Sequence, residues 1–395
     1  MPSFNIPTKA IGDQLTPAEF NSMVAALWNT AHITHVGPGQ DIQAAINATD
    51  PPRLIVISGV HEPQAEIDIP SYTVIDARAA KFIVDTQTPD VPNNLFQNAD
   101  RVTGNEHIHI LGGEMDGSWT TRPGANDWVG DSKPEGNGSF PTAGCAVYLY
   151  RVRHSSVVGG DIHGWHGNAV GIIQCEDHVT VDSIIKASGG NGAWEPTTGK
   201  DYKCFRNVFI DNFDGAINSC TGTFRNKIHD CVFKTEGAAW AGQGQPMLIL
   251  AAALQEDDAE IIGCHFIDWY GGIILASQGS LIFRDNIVDF NSLIGYSGIS
   301  VNPGDTRPFM ARIEGNEFRN GNGGSMIISV NPGAGSHAVI AENNFLNCTT
   351  PIIGKDTTGS VFIGRNYGDV VIPSLLPFSN VVVPQQKTIT IGAIV

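Results

Sequence analysis

The 395-residue chain is expected to fold as an all-β solenoid, with short strands winding as successive turns of one coil. Three observations predict this. The hexapeptide ISVNPG occurs at 299–304 and again at 328–333. Each copy is followed by an apolar-x-x-Asn-x-Phe signature, at Ile313–Phe318 and Ile340–Phe345, so the two markers recur after 29 and 27 residues. Cys145, Cys175, Cys204, Cys231 and Cys264 follow one another at intervals of 30, 29, 27 and 33. A period in the twenties, built of short alternating strands and sharp turns, is the sequence sign of a solenoid.

Length alone would accommodate two or three domains, but a repeat architecture buries one continuous core of any length. Glycine is abundant at 45 residues and charged residues make up 16%, which suits many tight turns and little surface helix. A formal net charge of −17 disfavours nucleic acid and anionic membrane as partners. The seven cysteines include no CxxC pair, and they are read as compact apolar residues stacked from coil to coil rather than as a zinc site or disulfide framework. The N-terminal MPSFNIPTKAIGDQ has no basic region followed by an apolar core, so synthesis without a signal peptide is expected. No apolar run reaches membrane-spanning length.

Along the chain, Thr16 to Glu19 reads as a capping box: Thr as N-cap, Pro17 at the first helical position, Glu three residues on. Phe20, Met23, Val24 and Leu27 then share one helical face. A second short helix is expected after Gly39 to Asp41, with Ile42, Ala45 and Ile46 on its apolar side, laid over the first coil because a bare solenoid end exposes core and unpaired backbone. The apolar-x-x-turn-x-apolar template places turns at Gly113, Gly160, His178, Asn207, Cys231, Cys264, Asn286, Asn316, Asn343 and Asn366. Gly and Asn predominate there, as a left-handed bend demands, and asparagine side chains are able to hydrogen-bond along the stack. The stretch from Thr120 to Thr142 reads as a long projecting loop, with 195–202 and 235–246 as further loop candidates.

Three resemblances sit on these residues. GDQLTPAEFNSMVAAL resembles a helix near the start of many bacteriophage tail and tail-fibre proteins. GPGQDIQAAINA followed by SYTVIDARAAKFI resembles the opening of pectate-lyase-like right-handed parallel β-helix proteins, a likeness that continues to about Asn366. It implies a single-stranded right-handed parallel β-helix with a short N-terminal helical cap. It says little about activity, since that superfamily hosts lyases, hydrolases, epimerases and non-catalytic spikes. HIHILGGEMDG resembles a motif of polygalacturonase-like glycosidases, in which the Asp matched by Asp116 chiefly marks a turn. Asp214, before Gly215, stands nearer to where that family places an acid entering a strand, but the family's further paired acids are absent, as is the DPHE motif of alginate epimerases.

Polar-Gly steps recur at each strand entry, at His166, Asn191, Asp214, Tyr270 and Ser297. One such residue per coil makes a column along the axis, met in turn by a linear polymer at a spacing of ~4.8 Å. Six of the seven tryptophans fall between 119 and 269. Sugar rings stack on aromatic faces while carboxylates and amides take hydroxyls, so Trp165, Trp194, Trp119, Trp128, Trp240, Trp269, Tyr270, Asn191, Lys200 and Lys203 are the candidate substrate-binding residues. Asp214, Glu195, Asp161 and His166 are the catalytic candidates. A hydrolase would pair two carboxylates across the scissile bond, Glu195 or Asp161 with Asp214. A lyase would neutralise a uronate with Lys200, Lys203 or Arg206 and use His166 as base. No metal site or cofactor is indicated, and Ca2+ enters only if the protein is a lyase.

These readings divide the chain into an N-terminal arm and helix (1–34), a β-helix (35–370) and a C-terminal extension (371–395). The expected function is polysaccharide binding and cleavage by a bacteriophage tail spike that recognises a bacterial surface glycan. Homotrimeric assembly, as in such spikes, and contacts with tail proteins through the arm come with that resemblance. The alternatives are a non-catalytic adhesin and a free bacterial polysaccharide lyase, glycosidase or epimerase.

Overall fold

The computed structural model describes residues 32–85, 94–118, 144–165, 167–188, 192–212, 215–235, 247–251, 258–269, 273–276, 280–290, 299–301, 310–321, 328–330, 337–348, 352–354, 360–368 and 381–382. Strands β1 (His32–Val36) and β2 (Arg53–His61) begin the coil, and helix α1 (Ile42–Ala48) lies between them. Asp41 caps α1 by accepting from the Ala44 N–H at 3.0 Å, and Ile42 and Ile46 are buried. Gln43, on the same helix, completes the cap. Its amide donates to Asp68 O (3.2 Å) and accepts from Asp68 N–H (2.7 Å), pairing with β3 (Ile67–Ile69) as a neighbouring strand would. The expected capping helix is thus present; the arm at 1–31 lies outside the described residues.

The next strands are β4 (Thr73–Ile83), β5 (Asn94–Asn98), β6 (Asn105–Leu111), β7 (Glu114–Asp116), β8 (Cys145–Tyr150), β9 (Val152–Val158), β10 (Asp161–His163), β11 (Val170–Ile173), β12 (Glu176–Val181), β13 (Ile184–Lys186), β14 (Trp194–Phe205), β15 (Val208–Ile210) and β16 (Gly215–Phe224). Every pairing among the described strands is parallel to the equivalent strand one coil away, and three stacks result. Sheet A contains β1, β2, the first half of β4, β6, β9, β12 and the second half of β14. Sheet B contains the end of β4, then β7, β10, β13 and β15. Sheet C contains β3, β5, β8, β11, the first half of β14, and β16. The Ile-Ser-Val segments that open the two ISVNPG copies are adjacent rungs of sheet C, with Ile299 opposite Ile328, and their Phe signatures stack in sheet B, Phe318 on Phe345 at 5.1 Å.

Inward residues form one core along the axis. Phe209, Phe233 and Phe266 stack face to face at 5.0 and 4.7 Å, and a fully buried phenylalanine contributes about 2–3 kcal/mol. Cys145, Cys175, Cys204, Cys231 and Cys264 are buried, as the coil-to-coil spacing predicted, and so is Cys348.

The corner from sheet A to sheet B carries an asparagine ladder. Asn286, Asn316 and Asn343 each donate a backbone N–H to the side-chain oxygen of the asparagine one coil on, at 2.9 to 3.0 Å. The left-handed residue is the one before each: Asp285 (φ 56°), Gly315 (φ 68°) and Glu342 (φ 57°). The bend therefore falls one position earlier than the template suggested, because the asparagine side chain points inward to the ladder. His178 is not a turn residue. It is buried on β12, and the corner of that coil is Asp182–Ser183, where Ser183 N–H donates to Asn207 Oδ1 at 2.9 Å.

Candidate functional site

The coil separates residues that are close in sequence. Trp165, Trp194 and Trp269 are core residues and offer no face to a ligand, contrary to the stacking role expected of them. The Trp165 indole N–H donates to Met115 O at 3.0 Å, the Trp194 N–H donates to Thr180 Oγ1 at 3.0 Å, and Trp269 packs edge-on against Phe266 at 5.2 Å. Large apolar rings at inward-facing positions are worth more buried than exposed. Lys200 and Lys203 project from sheet A, where each already holds a carboxylate: Glu176 at 2.6 Å and Asp177 at 2.8 Å. Arg206 is paired in two-pronged fashion with Asp182 at 2.8 Å. Asp161 projects from sheet B and pairs with Lys186 at 3.2 Å. Glu195 stands on sheet C, so Asp161 and Glu195 belong to different faces. Asp214, His166, Asn191, Trp119, Trp128, Trp240 and Tyr270 lie outside the described residues; Asp214 immediately precedes β16 of sheet C.

The outer face of sheet C carries a column set by register: Asp68 opposite Gln97, Gln97 opposite Tyr148, Tyr148 opposite Gly171, and Gly171 opposite Glu195. Five rungs at the coil spacing span roughly 19 Å. Gln97 donates to Asp68 Oδ1 (2.8 Å) and Glu66 Oε2 (2.6 Å), and Asn94 donates to Glu66 Oε1 (3.3 Å). The Asn168 amide donates to Glu195 Oε2. Gly171 is a gap in this column: a Cβ there would stand 3.3 Å from Tyr148 Cδ2, so the ring leans across the bare backbone. Burial raises the Tyr148 pKa, keeping a neutral hydroxyl on this face. Apart from β14, which runs on into sheet A with Lys200 and Lys203, no described strand of sheet C contains a lysine, arginine or histidine. At its margin, Arg151 is tied to Gln174 Oε1 (2.8 Å) and Val102 O (2.6 Å).

Sheet A is the opposite in character. Tyr72, His107 and His154 stack at 5.2 and 5.0 Å, each on a left-handed residue at the corner entering the sheet. Their faces cover one another. His154 Nδ1 meets Asp177 at 3.1 Å, Asp177 also holds Lys203, and Arg153 meets Glu106 at 3.3 Å. This face is a lattice of cross-strand ion pairs that already satisfy each other.

On sheet B a third group escaped sequence reasoning. Glu114, Asp116 and His163 place ligand atoms within 4.8 Å of one another, with Lys81 Nζ 2.8 Å from Glu114. The signal was present as two tripeptides, Glu-Met-Asp at 114–116 and Asp-Ile-His at 161–163, but only the register of β7 with β10 shows that they are neighbours.

No family model matches the chain, and no curated protein sequence matches it. Solved structures do. ORF18 of Geobacillus virus E2 superposes with a TM-score of 0.54 at 13% identity, over 88% of this chain and 66% of that one. A DFA-IIIase from Arthrobacter chlorophenolicus A6 in complex with GF2 superposes with a TM-score of 0.52 at 13% identity, over 98% of both chains. The chain is a right-handed parallel β-helix. At such identities the likeness is one of fold, and the β-helix spans just under two thirds of the viral protein's length. What this β-helix does has to be argued from its own faces.

Proposed function

We propose that this β-helix binds a bacterial surface polysaccharide along the outer face of sheet C and cleaves it by hydrolysis, as a virion tail spike. The observation that supports this is the sheet C column, Asp68, Gln97, Tyr148, Gly171 and Glu195, in which Glu66, Asp68, Asn168 and Glu195 keep exposed surface and the buried Gln97 and Asn94 hold Glu66 and Asp68 in place. Carboxylates and amides in a row along the axis are hydroxyl-binding groups. A face whose described strand segments carry no basic residue suits a neutral glycan and disfavours the uronate that elimination requires. Lys200, Lys203 and Arg206, which a lyase would use to neutralise a uronate, are engaged on sheet A.

Hydrolysis needs two carboxylates, one ionised. Glu195 is the first, oriented by the hydrogen bond it accepts from the Asn168 amide. Asp214, which immediately precedes β16 in sequence, is the partner proposed for it. The fold shared with a viral protein fits a place on a virion, as does the phage-like LT-x-x-EFN segment.

The test is incubation with a panel of bacterial capsular and O-antigen glycans, following new reducing ends. Release of oligosaccharides, lost in Glu195→Gln, is the expected result. Tight binding without product from any bound glycan would instead make the protein a non-catalytic receptor-binding spike. Antibody labelling of purified virions tests the location, and absence from virions would overturn it.

A further inference from the structure

We propose that Glu114, Asp116 and His163 form a site for a divalent first-row transition metal on the outer face of sheet B, distinct from the sheet C column. The donors rest on strands rather than loops. Met115 and Ile162 point into the core with no exposed surface, so Glu114 and Asp116 on one rung, and Asp161 and His163 on the next, are held outward. Register sets Asp161 opposite Glu114 and His163 opposite Asp116. His163 stands between two carboxylates, Nε2 at 3.4 Å from Glu114 Oε1 and Nδ1 at 3.6 Å from Asp116 Oδ1. One ring nitrogen, one Glu114 oxygen and one Asp116 oxygen all lie within 4.8 Å of one another, close enough to share a single ion.

Two further observations point to a cation here. The Lys81 ammonium already occupies the carboxylate side of the cluster, 2.8 Å from Glu114 and 3.8 Å from Asp116, as a cationic stand-in. Asp161, across from Glu114, keeps Oδ1 shielded from solvent and outside any hydrogen bond among the described residues, while Lys186 Nζ lies 3.2 Å from it and donates to Oδ2 at 3.4 Å. Two carboxylates and one imidazole suit Zn2+, Mn2+ or Co2+ better than Ca2+, which prefers an all-oxygen shell. Metal binding displaces the Lys81 ammonium and ties β7 to β10.

Isothermal titration of the chelator-treated full chain with Zn2+, alongside melting curves, tests the site. One saturable site is expected, together with a higher melting temperature on loading. His163→Gln and Asp116→Asn should each weaken affinity by more than about 10-fold. Lys81→Met should strengthen it by removing a competing positive charge. Absence of saturable binding would overturn the proposal, as would a site unmoved by both ligand substitutions, or a Lys81→Met variant that binds no better. Asp116→Asn is nearly isosteric and carries the test if His163→Gln does not fold.

Discussion

His178 Nδ1 lies 2.8 Å from Ser155 Oγ inside the coil, one rung away, and the same ring meets Thr180 Oγ1 through Nε2 at 2.9 Å. Thr180 in turn accepts from the Trp194 indole at 3.0 Å. Sheets A and C are thereby joined across the core by a buried polar chain. A neutral imidazole, with one donor and one acceptor, satisfies both hydroxyls without burying a charge.

Burial drives the His178 pKa down to about 3, and His109, lined by Ser156 and crowded by His107 and His154, to about 4, with burial again the larger cause. An unfolded histidine titrates near ~6.5. Between those values the unfolded chain takes up protons that the native chain refuses, so these groups remove stability as pH falls from about 6.5 toward 4 and below. Melting temperature is expected to drop from pH 7 to pH 5. The sealed ring of His178 dominates the effect, and His109, partly open to solvent, adds in the same direction. His178→Gln should be less stable at pH 7 by about 1–3 kcal/mol and yet show a shallower pH dependence; a slope equal to the parent's would contradict this account.

Asn316→Ala should be strongly destabilising. It removes the acceptor for the Asn286 N–H and the donor to Phe283 O, at 2.9 Å each, and both partners are sealed from water. Two unsatisfied buried groups cost on the order of 2–5 kcal/mol. Urea unfolding measures it.

Trp194→Ala separates packing from recognition. Loss of a buried indole costs about 3–5 kcal/mol, but because the ring faces inward, glycan affinity of the folded fraction should be unchanged. A selective loss of binding at unaltered stability would return Trp194 to the ligand-contacting role expected from sequence.

Glu195→Gln should lower turnover at least ~100-fold while leaving glycan binding largely intact. Lys203→Met, on sheet A, should leave both unaltered, since its ammonium serves Asp177. Paired turnover and binding measurements distinguish the two faces.

The architecture was legible from local signals because a solenoid repeats them. ISVNPG and Asn-x-Phe recur at one coil length, and their partners, Ile299 with Ile328 and Phe318 with Phe345, sit in matching register. Core and cap were readable for the same reason: each coil solves the same burial problem, and Ile42, Ile46 and Asp41 announce a short capped helix. What a linear reading could not resolve was the face. Lys186, Glu195 and Lys203 lie within one coil length in sequence yet project from sheets B, C and A. Glu114 and His163 are 49 residues apart yet adjacent in space. Alternation along a strand says whether a side chain points in or out, and which of three outer faces receives it depends on where each corner falls. Trp165 and Trp194 were misread because aromatic residues serve a groove and a core equally well by composition. Only the three-dimensional register, which stacks every coil on the one before, decided that they belong to the core.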